Sequence, residues 1–81
     1  MTKREKRAAK KVFAAKLRKL RLQLNWSQRR VARFLGVEAS TYYRWEDAET
    51  EVLPLEITQV AITDMMHVAL RIVRRNGNGR Q

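Results

Sequence analysis

The sequence predicts an all-α protein, a small bundle of four to five helices, and three observations lead to it. Apolar residues recur at helical spacing in both halves of the chain, from Phe13 to Leu24 and from Ile62 to Val73. Turn chemistry interrupts them at Asn25, Gly36 and Pro54. No segment alternates apolar and polar residues as a half-buried strand does. With 81 residues the chain is one domain at most, and its core is small enough for self-association or ligand binding to be a reasonable source of added stability.

Residues 1–11, MTKREKRAAKK, carry no apolar stripe and read as a basic arm, flexible or weakly helical. Phe13, Leu17, Leu20 and Leu24 then fall at i, i+4, i+7 and i+11, one face of an amphipathic helix. Asn25 tolerates the left-handed conformation that ends helices. Ser27 caps a second helix, with Trp26 and Val31 at the spacing of a hydrophobic staple. Arg30 stands where a capping box would place Glu or Gln, so that helix start stays electropositive. Val31, Ala32 and Leu35 form its buried stripe, and Gly36 provides the sharp exit.

Glu38 precedes a third helix, where it caps poorly but favours the helix start electrostatically. Tyr42 and Trp45, three apart, share its inward face. Ser40, Tyr43, Arg44 and Asp47 are left pointing outward, with Ala39 at an exposed first turn. Residues 47–53 read as an acidic loop, and Pro54 suits the first turn of a further helix. From Leu55 to Arg75 the pattern is helical, as one long helix or two short ones, with Thr58 or Thr63 as a cap in the second case. The run Asn76-Gly77-Asn78-Gly79 ends it and begins a flexible tail, residues 76–81.

Several function classes find no support. Without cysteine there is no disulfide framework and no thiolate metal site. A single histidine, His67, forms no metal cluster unaided. Asp64 and His67 sit three apart on a helix, but no nucleophile or phosphate loop accompanies them, so an enzyme is not expected, nor is any cofactor or metal. No apolar run approaches the ~18 residues of a membrane span, and the basic N-terminus lacks the apolar stretch of a signal peptide. The expectation is a soluble protein of the prokaryotic cytoplasm or nucleoid.

The net charge is +10, and it is distributed unevenly. Residues 1–46 hold fourteen Lys or Arg against three acids, a balance of +11. Residues 47–70 hold five acids and no Lys or Arg, and the end of the chain from Arg71 adds +4. A field so lopsided draws a polyanion to one end of the molecule. Charge alone leaves DNA, structured RNA and an anionic membrane open. The layout of residues 17–46 narrows the choice: helix, short turn, helix, Gly-Val, then a polar, aromatic and basic helix. This spacing suits a helix held across a DNA groove by the helix before it.

The string Gln28…Ala32…Leu35-Gly36-Val37…Tyr42…Trp45-Glu46 resembles the helix-turn-helix of the Cro/C1-type, lambda-repressor-like regulators. The resemblance covers residues 13–54 and implies an all-α, usually dimeric DNA-binding domain that regulates transcription. It makes Ala39, Ser40, Tyr43 and Arg44 base-reading, with Arg44 able to bond a guanine bidentately. It makes Gln28 and Thr41 backbone contacts; Arg29 and Arg30 join them on position, since phosphates bind at a helix N-terminus, and Arg33, a turn further in, is a phosphate contact or a solvated side chain. Arg21 and Glu46 match a pair that in some members forms an internal salt bridge.

Ala39 departs from the family, which often has Gln or Arg there, so hydrogen-bond readout should fall on Ser40 and Arg44. After Pro54 the family's usual last helices are not clearly matched. Residues 54–75 read instead as a dimerisation segment, with Ile62, Met65, Met66, Ala69, Ile72 and Val73 at the interface. In length and layout the chain is also similar to small phage-type regulators, including anti-CRISPR-associated autorepressors. The expected partners are a second copy of the chain and double-stranded DNA carrying an inverted repeat, bound by residues 12–53, with repression of a nearby promoter as the outcome. An RNA-binding or antitoxin-like role would use the same basic face.

Overall fold

A computed structural model describes residues 2–79, with side chains as far as Asn76. It has four helices: α1 (Lys3–Leu24), α2 (Gln28–Leu35), α3 (Ala39–Glu46) and α4 (Glu56–Gly79). α1 packs against both α3 and α4, and α2 packs against α3. The long first helix is therefore the frame on which the short pair is mounted.

Of the two readings of the basic arm, the structure has the helical one. Thr2 and Glu5 form a reciprocal capping box, the Glu5 amide donating to the Thr2 hydroxyl at 3.1 Å. Residues 3–11 are thereby the first turns of α1. Their lack of an apolar stripe hid this, because the helix is started by its cap and held by the packing that begins one turn later. The buried face of α1 is Phe13, Ala14, Leu17, Leu20 and Leu24, extended toward the N-terminus by Lys10. Asn25 ends the helix in the left-handed conformation, φ 60°.

Ser27 caps α2, accepting from the Arg30 amide at 3.1 Å. Trp26 packs at the edge of the core and meets Phe34 edge-on, ring centres 5.5 Å apart. Val31 and Ala32 are buried, and Gly36 closes the helix at φ 75°. In α3, Tyr42 and Trp45 lie in the core, edge to face at 6.2 Å. They join Phe13, Leu17, Leu20, Leu24, Val31 and, from α4, Ile62, Met66, Ala69 and Leu70 in one cluster.

α4 is one continuous helix, so neither Thr58 nor Thr63 caps a second one. The Thr63 hydroxyl instead turns back to the Gln59 carbonyl at 3.1 Å. Pro54 stands just before the helix rather than in its first turn, and its carbonyl accepts from the Gln59 side chain at 2.8 Å. The helix runs on through residues 76–79, where the sequence suggested a tail; Arg80 and Gln81 lie outside the described residues.

Gly36 supports the angle between α2 and α3 through its backbone alone. A Cβ there would meet nothing within 4 Å, so the whole cost of a side chain is conformational. Gly36→Ala is expected to lose about 1–2 kcal/mol of unfolding free energy, and Gly36→Asn less, in urea titrations. Equal stability of all three proteins would show that the turn relaxes freely.

Candidate nucleic-acid interface

The outer face of α3 follows from its inner one. With Tyr42 and Trp45 buried, the helical repeat leaves Ser40, Tyr43, Arg44 and Asp47 exposed on the opposite side. Among the described residues, the Arg44 guanidinium has no carboxylate within salt-bridge distance. Asp47 stands one turn beyond Arg44, and its carboxylate accepts from the Glu49 amide at 2.9 Å, closing the turn after the helix. Ala39 is not on the exposed row: it is half-buried and packs against the core, since it shares a face with Tyr42. Thr41 is half-buried as well. Both sit at the margin of the outer face rather than on it.

A polar network beneath this face joins three helices. The Arg21 Nε donates to Glu46 Oε2 at 2.7 Å and its Nη2 to Glu46 Oε1 at 3.1 Å, a bidentate pair between α1 and α3. The remaining Nη1 reaches the Trp26 carbonyl at 3.1 Å, in the turn before α2. Gln28 Nε2 adds a bond to Glu46 Oε1 at 3.2 Å. Only 4% of the Glu46 side chain and 15% of Arg21 are exposed, so both charges are largely taken from water and compensated by each other. The hydrogen bond to Glu46 holds the Arg21 pKa above its ordinary value, against the opposing effect of burial. Tyr42 lies beside them with its hydroxyl buried and without a hydrogen-bond partner. Burial first, then the Glu46 carboxylate, raises its pKa, which keeps it neutral.

Gln28 thus belongs to the network. One amide hydrogen is committed to Glu46, which leaves the other free at the start of α2. Arg29 and Arg30 are exposed at the same helix start, Arg33 is exposed in the last turn of α2, and the three line an open recess with Trp26, Ser27 and Phe34. The Arg30 guanidinium lies 4.5 Å over the Trp26 ring, a cation–π contact that holds it near that recess.

Residues 12–68 match the family model of a helix-turn-helix domain. The chain belongs to that family. The match begins inside α1 and ends inside α4, so this helix-turn-helix domain takes in part or all of every helix described. Such a domain is a DNA-binding one, with α2 and α3 as its defining pair. No curated protein and no solved structure matches the chain. Among the described residues no three metal-binding side chains cluster, and no helix is long and apolar enough to cross a membrane.

The sequence missed two residues here, Phe34 at the surface and Lys10 beneath it. Phe34 was overlooked because it lies off the apolar stripe of α2, and only the fold brings it to Trp26. Lys10 was overlooked because of its residue type. It stands three residues before Phe13 and seven before Leu17, on the buried register of α1, and it is 2% exposed. The spacing was a usable signal, but lysine at such a position is ordinarily taken for a solvated side chain.

Glu46→Ala strands the Arg21 guanidinium and is expected to cost about 3 kcal/mol of unfolding free energy. Replacing both partners, Arg21→Met with Glu46→Leu, should cost clearly less than the two single changes summed. Strict additivity in a double-mutant cycle would show that the two side chains do not act as a pair.

Proposed function

We propose that this helix-turn-helix domain is a dimeric, sequence-specific regulator of Cro/C1 type that represses transcription from a nearby promoter. The supporting observation is the exposed row Ser40, Tyr43 and Arg44 on a helix clamped from beneath by the Arg21–Glu46 pair. A helix so held presents its side chains at a fixed angle, which base recognition requires and general attraction to a polyanion does not. Arg44 reads a guanine edge, Ser40 bonds a neighbouring base and Tyr43 contributes apolar contact. Ala39 and Thr41, at the margin of the row, approach a methyl group or the sugar-phosphate backbone. Gln28, Arg29, Arg30 and Arg33 contact phosphates and set the register.

Of the residues expected at the dimer interface, Met65 and Ile72 are exposed and the other four are not. Ile62, Met66 and Ala69 are buried in the chain's own core and Val73 is half-buried against it, because α1 already covers that side of α4. The opposite side of α4 carries a second apolar stripe, Ile57, Ala61, Met65, Val68 and Ile72. Its members are open to solvent, Ile57 at 78% and Ile72 at 52%. A second copy in antiparallel orientation covers this stripe and sets the acidic first half of α4, with Glu56 and Asp64, against the basic second half, with Arg71, Arg74 and Arg75. A parallel pair would oppose like charges. The two recognition helices then address an inverted repeat with half-sites about 34 Å apart.

Selection from random duplexes should recover such a repeat. Arg44→Ala should relax base preference at one position per half-site, at a cost of about 1–3 kcal/mol in discrimination. Arg29→Ala should weaken all duplexes alike and flatten the salt dependence by about one ion. Uniform losses from both changes would refute the division of roles, and structured RNA bound as tightly as the selected duplex would refute the DNA reading. In sedimentation, Met65→Asp with Val68→Asp should yield monomers of unchanged helicity; a persisting dimer would remove α4 from the interface.

A further inference from the structure

Lys10 is a buried charged residue outside the Arg21–Glu46 network, 2% exposed. Its ammonium donates to the Arg44 carbonyl, to the Asp47 carbonyl at 2.9 Å and to Thr50 Oγ1 at 2.9 Å. Three acceptors match the three hydrogens of an ammonium group. Two of them belong to the C-terminal end of α3, where carbonyls have no partner within the helix and the helix dipole favours a cation. The Thr50 hydroxyl lies 2.8 Å from the Arg44 carbonyl, which closes the turn over the same site. Burying a lysine is costly, and desolvation lowers its pKa, with the Asp47 carboxylate opposing the shift. An apolar residue at position 10 would avoid that cost but would leave the Arg44 and Asp47 carbonyls held only from within residues 44–50, by the Thr50 hydroxyl and amide, with no tie to α1.

The location adds to the argument. Lys10 lies in the part of α1 that precedes the family match at residues 12–68. Its target is the backbone of Arg44, the residue assigned above to base reading. We propose that Lys10 is a positioning residue for DNA reading: its ammonium ties the last turn of α3 and the turn at residues 47–50 to α1, so that the Arg44 side chain departs from a fixed backbone. Lys10 itself touches no DNA. The proposal rests on the DNA-reading function of α3 and adds a determinant of specificity to it.

The test compares wild type with Lys10→Met on a selected duplex and on an unrelated one, across a salt series, with thermal unfolding measured alongside. The ratio of the two affinities should fall about tenfold. Binding to the unrelated duplex should change less than twofold, and the salt slope should stay the same, because no phosphate contact is lost. Hydrogen exchange should quicken at the amides of Asp47 and Thr50 and not within α2. An unchanged ratio with a lower melting temperature would overturn the proposal and leave Lys10 a stabilising residue only. Equal loss on both duplexes with a shallower slope would also overturn it, by making Lys10 a phosphate contact.

Thr50→Val provides a second arm should Lys10→Met fail to fold. It removes one acceptor and the linking hydroxyl, and should lower the ratio about threefold; no change would overturn the proposal. Wild type that fails to discriminate between the duplexes would instead refute the function of α3 itself, and the role of Lys10 with it.

Discussion

The Arg21–Glu46 ion pair is the interaction on which the candidate interface depends. It is bidentate, it is mostly withdrawn from water, and its spare donor and acceptor capacity reaches the turn before α2 and the first residue of α2. Three helices are therefore referred to one pair of charges. Such a pair adds little net stability over a well-packed apolar alternative, since desolvation offsets most of the attraction. Its physical effect here is directional. Apolar contacts among Leu17, Val31 and Tyr42 tolerate small rotations of α3, whereas a forked guanidinium facing a carboxylate does not.

α1 grips α3 twice. Lys10 and Arg21 are eleven residues apart, three turns of helix, and so fall on nearly the same face. Both side chains converge on the last turn of α3, one on its backbone and one on Glu46. An eight-residue helix has little stability of its own. Burial of Tyr42 and Trp45 supplies the driving force, and the two cations fix where the helix stops and how it is turned about its axis.

The charge distribution gains a structural meaning from this arrangement. The cations of residues 3–33 lie on α1 and α2, whereas the acids of residues 47–64 lie in the loop after α3 and along α4. Asp47 is the exception, an acid on the outer face of α3 within a turn of Arg44. Its commitment to the Glu49 amide limits its freedom but not its charge, and it sets a negative charge within a turn of Arg44. α4 is apolar on two sides, one closing the core and the other exposed in the single chain.

The sequence by itself determined the all-α class, the boundaries of α2 and α3 and the inward faces of both. These are local matters: Ser27, Gly36 and the 3.6-residue repeat act within a few residues, through hydrogen bonds and steric limits that any copy of the segment would feel. The outward row Ser40, Tyr43 and Arg44 was legible for the same reason, as the complement of Tyr42 and Trp45. Only the tertiary structure decided which residues of α4 are core, since periodicity identifies an apolar face but not what covers it. Ile62 and Met65 are equally apolar in sequence, and the position of α1 separates them. It also decided that residues 3–11 are helix and that Lys10 is buried. The acceptors that make a buried ammonium tolerable belong to Arg44, Asp47 and Thr50, between 34 and 40 residues away, and no local pattern brings them together.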